Sequence, residues 1–339
     1  MIKKATWIIL ALMLLTLVFN WHLVAYGYQQ ASGQLKIIWN ARDIQNVLAE
    51  SSTPDSIKQK IKIIQEAKAF AHENLALAKT KNYTTYYDQN GQVALWNLSA
   101  SEKFALEPKS WSFPLLGSFP YKGFFNLEEG KKEMARLREE GYEARIRPVG
   151  GWSTLGWTKD PILSNMIERA EGSLAELIIH ELTHTTLFVK DNIDFNENLA
   201  SFIGERGAIQ YLNEKYGKNS DPFFEYILGE EDSQTFRNQM LLGTQKLDSL
   251  YKTFDKQDSD SAKNVLKHIM IDKITSSIDT LHFHNPRYYK AFSSTRPNNA
   301  YFMSYLRYYS SKDSLAEILS SKYKGNLKLF VKGMKDYHK

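Results

Sequence analysis

The stretch that decides the fold is LAELIIHELTHTTLFV, Leu174 to Val189, a largely apolar run that contains two histidines four residues apart. On a helix His180 and His184 lie on one face, and Glu181 directly follows the first of them. Both imidazoles can then direct a nitrogen at one ion, as in the H-E-x-x-H pattern of helical zinc sites. The alternative is a buried core helix in which the histidines serve only internal packing.

Composition limits what the rest of the chain can be. Its 339 residues, 43% apolar and 24% charged, are typical of a globular protein. The net charge of +5 is small, and basic and acidic residues are interleaved, which argues against nucleic acid as a partner. There is no cysteine, so disulfides, thiolate ligands and cysteine nucleophiles are excluded. Any metal must therefore be held by histidines and carboxylates.

The N-terminal segment has the composition of a membrane span. No Asp, Glu, Lys or Arg occurs between Lys4 and Lys36. A helix from Ala5 to Gly27 would be roughly 35 Å long at 1.5 Å per residue, which is about the thickness of the hydrocarbon layer. We expect an uncleaved anchor. A cleaved signal peptide, with the small residues Ala25 and Gly27 at the cleavage site, is the alternative.

The flanking charges predict the orientation of this span. Lys3 and Lys4 precede the apolar run, and positive charges favour the cytoplasmic side. The sequence thus divides into an anchor or signal segment, residues 1–28, and one domain, residues 29–339, outside the cytoplasm. The sequence does not indicate the oligomeric state.

Hydrophobic periodicity predicts an α+β domain that is mainly helical with a small β-sheet. One amphipathic helix is predicted over Thr53 to Lys81 and another from about Leu127 to Glu140. Strand-like runs on both sides of the turn signal Asp88 to Gly91 predict a hairpin. A strand is predicted over Tyr142 to Val149, before a glycine loop, and mainly helices are predicted from Pro161 onward.

A catalytic zinc site needs a third protein ligand besides the two histidines. The metzincin pattern is excluded, because it requires a histidine where this sequence has Lys190. A second helical pattern, DFNENLASFIGERGAIQYL, follows after a short link, with Asp194 or Asn196 as the candidate N-cap. The short link lets this second helix fold back against the first.

Glu197, in the first turn of that second helix, is the expected third ligand. The small side chains of Ala200 and Ser201 permit the two helices to approach closely. Glu205 is the fallback ligand, although a supporting or ion-pair role suits it better. The alternative for Glu197 is a solvated carboxylate stabilised by the helix N-terminus.

The chain resembles the predicted aminopeptidases of bacteria over nearly the whole part after the apolar segment. The resemblance rests on YGYQQASGQLKIIWNARDI after that segment, FPYKGFF at Phe119–Phe125, GWSTLGWTKDPILSNM at Gly151–Met166, LIIHELTHTTLFVKDNIDFNENLASFIGERGA at Leu177–Ala208 and NNAYFMSYLRY at Asn298–Tyr308. Together these motifs are far more specific than the H-E-x-x-H pentapeptide alone.

The resemblance implies a zincin-like fold of the gluzincin kind, with one Zn²⁺ per chain. It assigns His180, His184 and Glu197 as zinc ligands and Glu181 as the catalytic base. For a bacterial protein, the apolar segment and the preceding Lys3 and Lys4 predict a place in the inner membrane, with the catalytic domain on the periplasmic side. Many relatives carry a lipid-accepting cysteine near the position of Tyr26, and its absence here favours a peptide anchor.

Further residues are expected to assist catalysis. The glycine loop after the predicted strand could place an extended peptide along the strand edge, which makes Gly151, Trp152, Ser153 and Thr154 candidates for substrate binding. The alternative is a tight loop that packs its tryptophans into the core. Candidates for the oxyanion donor come from the later helical region and are Tyr305, His284, Tyr301 and His282.

The function predicted from these features is a membrane-anchored zinc peptidase, an aminopeptidase by the family resemblance. Zinc lowers the pKa of a coordinated water toward about 7, and Glu181 would accept its proton. One alternative is an endopeptidase or processing protease with the same chemistry. The other is a non-catalytic binding module that keeps the fold.

Overall fold

The computed structural model describes residues 21–113, 117–151, 158–309 and 312–338, and helices form most of that part of the chain. The helices are α1 (Trp21–Asn40), α2 (Ile44–Ala49), α3 (Asp55–Asn74), α4 (Leu127–Glu139), α5 (Glu171–Thr186), α6 (Ile193–Tyr216), α7 (Asp221–Tyr251), α8 (Asp260–Ser276), α9 (Asn299–Tyr309), α10 (Lys312–Tyr323) and α11 (Leu327–Tyr337). The strands are β1 (Arg42–Asp43), β2 (Thr85–Tyr87), β3 (Trp96–Ser101), β4 (Trp111–Phe113), β5 (Gly117–Phe119), β6 (Lys122–Phe124), β7 (Glu143–Pro148) and β8 (Ile162–Leu163). This arrangement confirms the predicted α+β class.

The strands form three small sheets. In the first, β2 lies between β1, to which it is antiparallel, and β8, to which it is parallel. In the second, β3 lies between β6 and β7 and is antiparallel to both. The third is the β4–β5 hairpin. Strand β7 is therefore an edge strand of the second sheet.

The two faces of the second sheet pack against different helices. Leu98, Ala100 and Ala144 point to one face and are buried together with Leu137 of α4. The opposite face is covered by α9, where the backbone N–H of Asn299 donates to a carboxylate oxygen of Glu143 at 2.8 Å. This alternation follows from the two-residue period of a strand and explains why β7 has polar side chains toward α9.

The largest hydrophobic core lies among α3, α5 and α6. Its centre is formed by aliphatic side chains that are fully or almost fully buried, namely Ile61 and Ile64 of α3, Leu174, Ile178, Ile179 and Leu182 of α5, and Leu199 and Ile203 of α6. A second core joins α7, α8 and α9 through Phe236, Met240, Ile271, Ile274 and Phe302. The H-E-x-x-H segment thus belongs to a helix that is packed in the centre of the molecule.

Several predicted elements are present, but one of them is shorter than predicted. The helix predicted over Thr53 to Lys81 is α3, which ends early, at Asn74, because Ala76 takes a positive φ of 58° and the chain turns away. The predicted helix from Leu127 and the strand before the glycine loop are α4 and β7. From Pro161 onward the described chain is mainly helical, with loops between the helices and one short strand, β8.

The hairpin predicted around Asp88 to Gly91 is wrong. The strands on its two sides, β2 and β3, belong to different sheets. The turn itself forms, but the Gln89 backbone N–H donates to Ser164 Oγ at 2.9 Å and its side-chain oxygen accepts from the Asn165 N–H at 2.9 Å. These bonds hold the turn against the end of β8, so the two strands separate instead of pairing.

The first described helix, α1, packs on the domain. The Tyr26 hydroxyl and the Gln30 amide both donate to the carbonyl of Gly123, at 2.9 and 3.1 Å, and Ile37 is buried. The boundary expected between residues 28 and 29 falls inside this helix. Most of the expected span from Ala5 to Gly27 lies outside the described residues, and no helix within the described ranges is long and apolar enough to cross a membrane.

Candidate metal centre

The two motif histidines lie in the last two turns of α5. The helix carries an apolar face into the largest core and ends at Thr186, after which Leu187 is extended. Glu181 and His184 are each only 8% exposed. Because the helical spacing puts positions four apart on one face, the Nε2 atoms of His180 and His184 lie 3.1 Å from each other.

Helix α6 folds back against α5 after a short link. Its N-cap is Asn192, whose side-chain oxygen accepts from the Phe195 N–H at 3.3 Å, so the predicted caps Asp194 and Asn196 are wrong. Asn196 instead bonds both the N–H and the carbonyl of Val189 at 2.8 Å, which ties the link to the first turn of α6. This places Glu197 opposite the histidines.

A glycine sets the distance between the two helices. A Cβ at Gly204 of α6 would lie 3.0 Å from the carbonyl oxygen of Glu176 and 3.3 Å from the Cβ of His180, both in α5. Ala200 and Ser201, the residues expected to permit close approach, are also buried. Gly204, whose potential Cβ meets the backbone of α5, was not among the residues that the sequence indicated.

Three possible ligand atoms converge at this contact. The Oε2 atom of Glu197 lies 3.5 Å from His180 Nε2 and 3.7 Å from His184 Nε2. Within the described ranges, these three residues are the single group of His and carboxylate side chains close enough to share an ion. The fallback ligand, Glu205, is absent from this group, and its carboxylate lies 3.9 Å from the guanidinium of Arg237.

The spacing of the three atoms fits a zinc ion. Ligand atoms about 2.0 to 2.1 Å from a tetrahedral zinc lie about 3.3 Å from one another, and the observed separations are 3.1, 3.5 and 3.7 Å. Two imidazoles and one carboxylate are also a donor set that zinc accepts. The His184 Nδ1 atom is buried and has no hydrogen-bond partner in the described part of the chain.

The electrostatics of the three residues favour a positive charge between them. Burial opposes the charged forms, but His184 and His180 hold the pKa of Glu197 well below its usual range. Burial also opposes protonation of His184, yet the Glu197 carboxylate raises the pKa of this histidine. Glu197 is therefore ionised and available as a ligand.

Glu181 is placed to work next to this group. Burial raises the pKa of its carboxyl above the usual value, although both histidines oppose the shift. A Cβ at Gly151 would lie 2.8 Å from Glu181 Oε1, so the end of the glycine loop touches the carboxylate directly. The other expected substrate-binding residues, Trp152, Ser153 and Thr154, lie outside the described residues.

The expected oxyanion donors are in two places. Tyr301 and Tyr305 lie on α9, which packs against α6, and their hydroxyl oxygens are 2.8 Å apart. The His284 ring lies 3.3 Å from the carboxylate of Glu231 on α7 and is exposed, and His282 is its ring neighbour. The two tyrosines thus lie on a helix that packs against α6, the helix that contains Glu197. The two histidines lie next to α7 instead.

Tyr83 is a neighbour of the site that sequence reasoning missed. Its side chain is fully buried, its hydroxyl has no described hydrogen-bond partner, and Glu181 and Asp160 are its charged neighbours. Burial and these carboxylates raise its pKa well above the usual value. No spacing pattern connects Tyr83 with the motif, so no signal in the sequence indicated this contact.

A comparison with protein families gives the same assignment as the motifs. The family model described as "Putative aminopeptidase" matches residues 25–339. The chain belongs to this family. The match begins within α1 and extends through the last described helix, so it includes both helices of the candidate metal centre. Comparisons with curated proteins and with solved structures gave no match.

Proposed function

We propose that this member of the aminopeptidase family is a zinc-dependent peptidase whose zinc is bound by His180, His184 and Glu197. The observation that carries the proposal is the convergence of their three ligand atoms within 4.8 Å, with Glu181 buried beside them. Family membership supports peptidase activity. The arrangement on two antiparallel core helices also supports a zincin-like fold of the gluzincin kind.

The ligands and the base have separate tasks. When bound, zinc would supply a Lewis acid that activates water and polarises the peptide carbonyl. Glu181, which is not one of the three ligands, would accept the water proton at a carboxylate oxygen and deliver it to the leaving amine. Burial favours this role, because a raised pKa makes the carboxylate a better proton acceptor near neutral pH.

Strand β7 offers a place for the peptide. Among the described strands it pairs only with β3. At its other edge the Ala144 carbonyl already accepts from Arg138 and Asn298, so an extended peptide would add beside the later part of β7, from Ile146 onward. The chain continues from β7 through Gly150 to Gly151, beside Glu181. A peptide that lies along this edge would reach the catalytic glutamate.

Two variants test the mechanism. Glu181→Gln preserves the size of the side chain and removes the proton acceptor, so zinc content should stay near one per chain while hydrolysis falls by roughly a hundredfold or more. His184→Ala removes a ligand, so zinc content, activity and thermal stability should fall together. Undiminished hydrolysis by Glu181→Gln would refute the mechanism, and wild-type protein that binds no zinc would favour a binding module.

The alternatives differ in the products or in activity. An aminopeptidase releases single N-terminal residues, whereas an endopeptidase or processing protease cuts within the peptide. Digestion of a mixed peptide library, followed by sequencing of the product termini, separates the two. The intact Glu181 beside three convergent ligand atoms favours an enzyme over a non-catalytic module.

We propose a location as well, from the sequence alone. Residues 1–28 would anchor the chain in a bacterial inner membrane, with the peptidase domain on the periplasmic side. Protease added to spheroplasts should then digest the domain. A C-terminal reporter that is active only in the cytoplasm would contradict this orientation.

A further inference from the structure

Two arginines project from the α9-facing side of strand β7. Arg145 is paired across the sheet with Ser99 of β3, and Arg147 is paired with Asn97. Because residues two apart on a strand share a face, both guanidinium groups lie on the side opposite the core residues Ala144 and Ile146. The sheet therefore carries two adjacent positive charges on the side where α9 packs.

Arg145 has no acidic partner within the described part of the chain. Its guanidinium lies 4.8 Å from the centre of the Tyr301 ring, and its charged or ionisable neighbours are Arg147, Tyr301 and Tyr305. Burial lowers its pKa, and the like charge of Arg147 lowers it further. Arg145 is thus a partly buried cation that lies beside a second arginine and has no acidic partner in the described part of the chain.

The one carboxylate on the same face of β7 is already engaged. Glu143 lies 2.6 Å from the ammonium group of Lys267, and it also accepts from the backbone N–H of Asn299 at 2.8 Å. It is therefore satisfied without Arg145. An isolated buried charge is costly unless an opposite charge compensates it, and here the compensating anion is not supplied by a described side chain.

A second polar atom near the arginines has no partner. The side-chain oxygen of Asn97, cross-strand from Arg147, is buried and makes no hydrogen bond to any described residue. Residues directly opposite on neighbouring strands share a face, so the Asn97 amide belongs to the same polar surface as the arginines. Rotation of that amide would present its NH₂ group to an anion.

This polar surface lies close to the candidate metal centre. Arg147 precedes Gly151 by four residues, so their Cα atoms are at most about 14 Å apart, and Gly151 touches Glu181. By the same reasoning Arg145 lies at most about 21 Å from Gly151 along the strand. An extended peptide beside β7 would therefore bring a group a few residues from the scissile bond to the arginines.

We propose that Arg145, together with Arg147, binds a carboxylate of the peptide substrate. This carboxylate is either the C-terminus of a short peptide or an acidic side chain a few residues from the scissile bond. A guanidinium group forms two parallel hydrogen bonds with a carboxylate, which gives both energy and orientation. The proposal rests on the proposed peptidase function, and it specifies the substrate class as acidic or short, free-acid peptides.

Matched peptides test this specificity. One pair differs only in a C-terminal carboxylate or amide, and the other only in an internal Glu or Gln. Wild-type protein should show a kcat/KM at least about tenfold higher for the acidic member of one pair. A tenfold ratio is about the effect expected from one charge-assisted hydrogen bond. The pair that shows the preference identifies the source of the carboxylate, and equal kcat/KM values in both pairs would overturn the proposal.

An arginine variant and a control locate the effect. Arg145→Met should bring the acidic-to-neutral ratio of kcat/KM close to one, and Arg145→Lys should give an intermediate ratio. The control is Arg296→Met, because Arg296 forms an exposed ion pair with Asp272 at 2.9 Å and should leave the ratio unchanged. Folding is checked by thermal unfolding, and an unchanged ratio in folded Arg145→Met would also overturn the proposal.

A binding measurement separates this proposal from the peptidase proposal. Calorimetry on the Glu181→Gln protein compares the affinity for the acidic and neutral peptides of each pair without turnover. If wild-type protein cleaves no peptide, the proposed function fails, whereas tighter binding of an acidic peptide still supports the arginine site. Equal affinities within both pairs would refute the arginine site independently of catalysis.

Discussion

Gly204 is the glycine of α6 whose potential Cβ meets a backbone carbonyl of the motif helix, and Gly204→Ala should weaken zinc binding. The added methyl group would lie 3.0 Å from the carbonyl oxygen of Glu176, where ordinary contacts begin at 3.4 Å. A carbonyl within a helix cannot rotate away, so the two helices must separate by about 0.4 Å. This displacement is larger than the deviation of about 0.2 Å that is acceptable in the distances between a metal and its ligands. Glu197, the proposed third ligand, would move with α6.

The magnitude follows from two opposing effects on stability. Alanine in a helix interior is favoured over glycine by about 1 kcal/mol, while overpacking of a core costs about 1 to 3 kcal/mol. We therefore expect the free energy of unfolding to fall by no more than about 2 kcal/mol. The affinity for zinc should fall by roughly tenfold to a hundredfold, the range observed when the support of a metal ligand is lost.

Competition with a chromophoric chelator measures the zinc affinity, and thermal unfolding with and without zinc measures stability. Gly229→Ala is the matched control, because Gly229 lies inside α7 with no atom within 4 Å of its potential Cβ. This control should raise stability by up to about 1 kcal/mol and leave zinc affinity unchanged. Wild-type zinc affinity in Gly204→Ala would refute the argument that this contact positions Glu197.

Three other changes test the packing outside the ligand set, each by chemical denaturation of the variant. Asp232→Ala should reduce the free energy of unfolding by about 3 kcal/mol, because this buried carboxylate accepts from the N–H groups of His284 and Asn285 at 2.7 Å. A reduction of less than about 1 kcal/mol would contradict a stabilising role of these two bonds. Lys267→Met should reduce the free energy of unfolding by about 3 kcal/mol, because Glu143 loses its ammonium partner. The additional substitution Glu143→Gln should restore part of this stability, and no restoration would argue against the ion pair. Tyr83→Phe should leave the free energy of unfolding unchanged or raise it by up to about 3 kcal/mol, because the buried hydroxyl has no described partner. A clear decrease in the free energy of unfolding would instead indicate a hydrogen bond to this hydroxyl.

The sequence by itself determined the parts of this protein that depend on neighbouring residues. The four-residue spacing of His180 and His184 places both on one face of α5 in any fold that contains this helix. The short link after α5 likewise left few positions for the next helix, which made Glu197 the expected third ligand. Hydrophobic periodicity located α4, β7 and the start of α3 within a few residues for the same local reason, whereas the end of α3 was predicted too late.

Tertiary structure alone decided the contacts between distant segments. The Gln89 bonds to the end of β8 separate β2 from β3, although the intervening turn has a hairpin-like sequence. Hydrophobic periodicity likewise does not predict the contact of Gly204 with α5 or the position of the Tyr301 ring over Arg145. A spacing pattern records which residues share a face of one element, but which faces meet depends on how all the elements together bury their apolar surface.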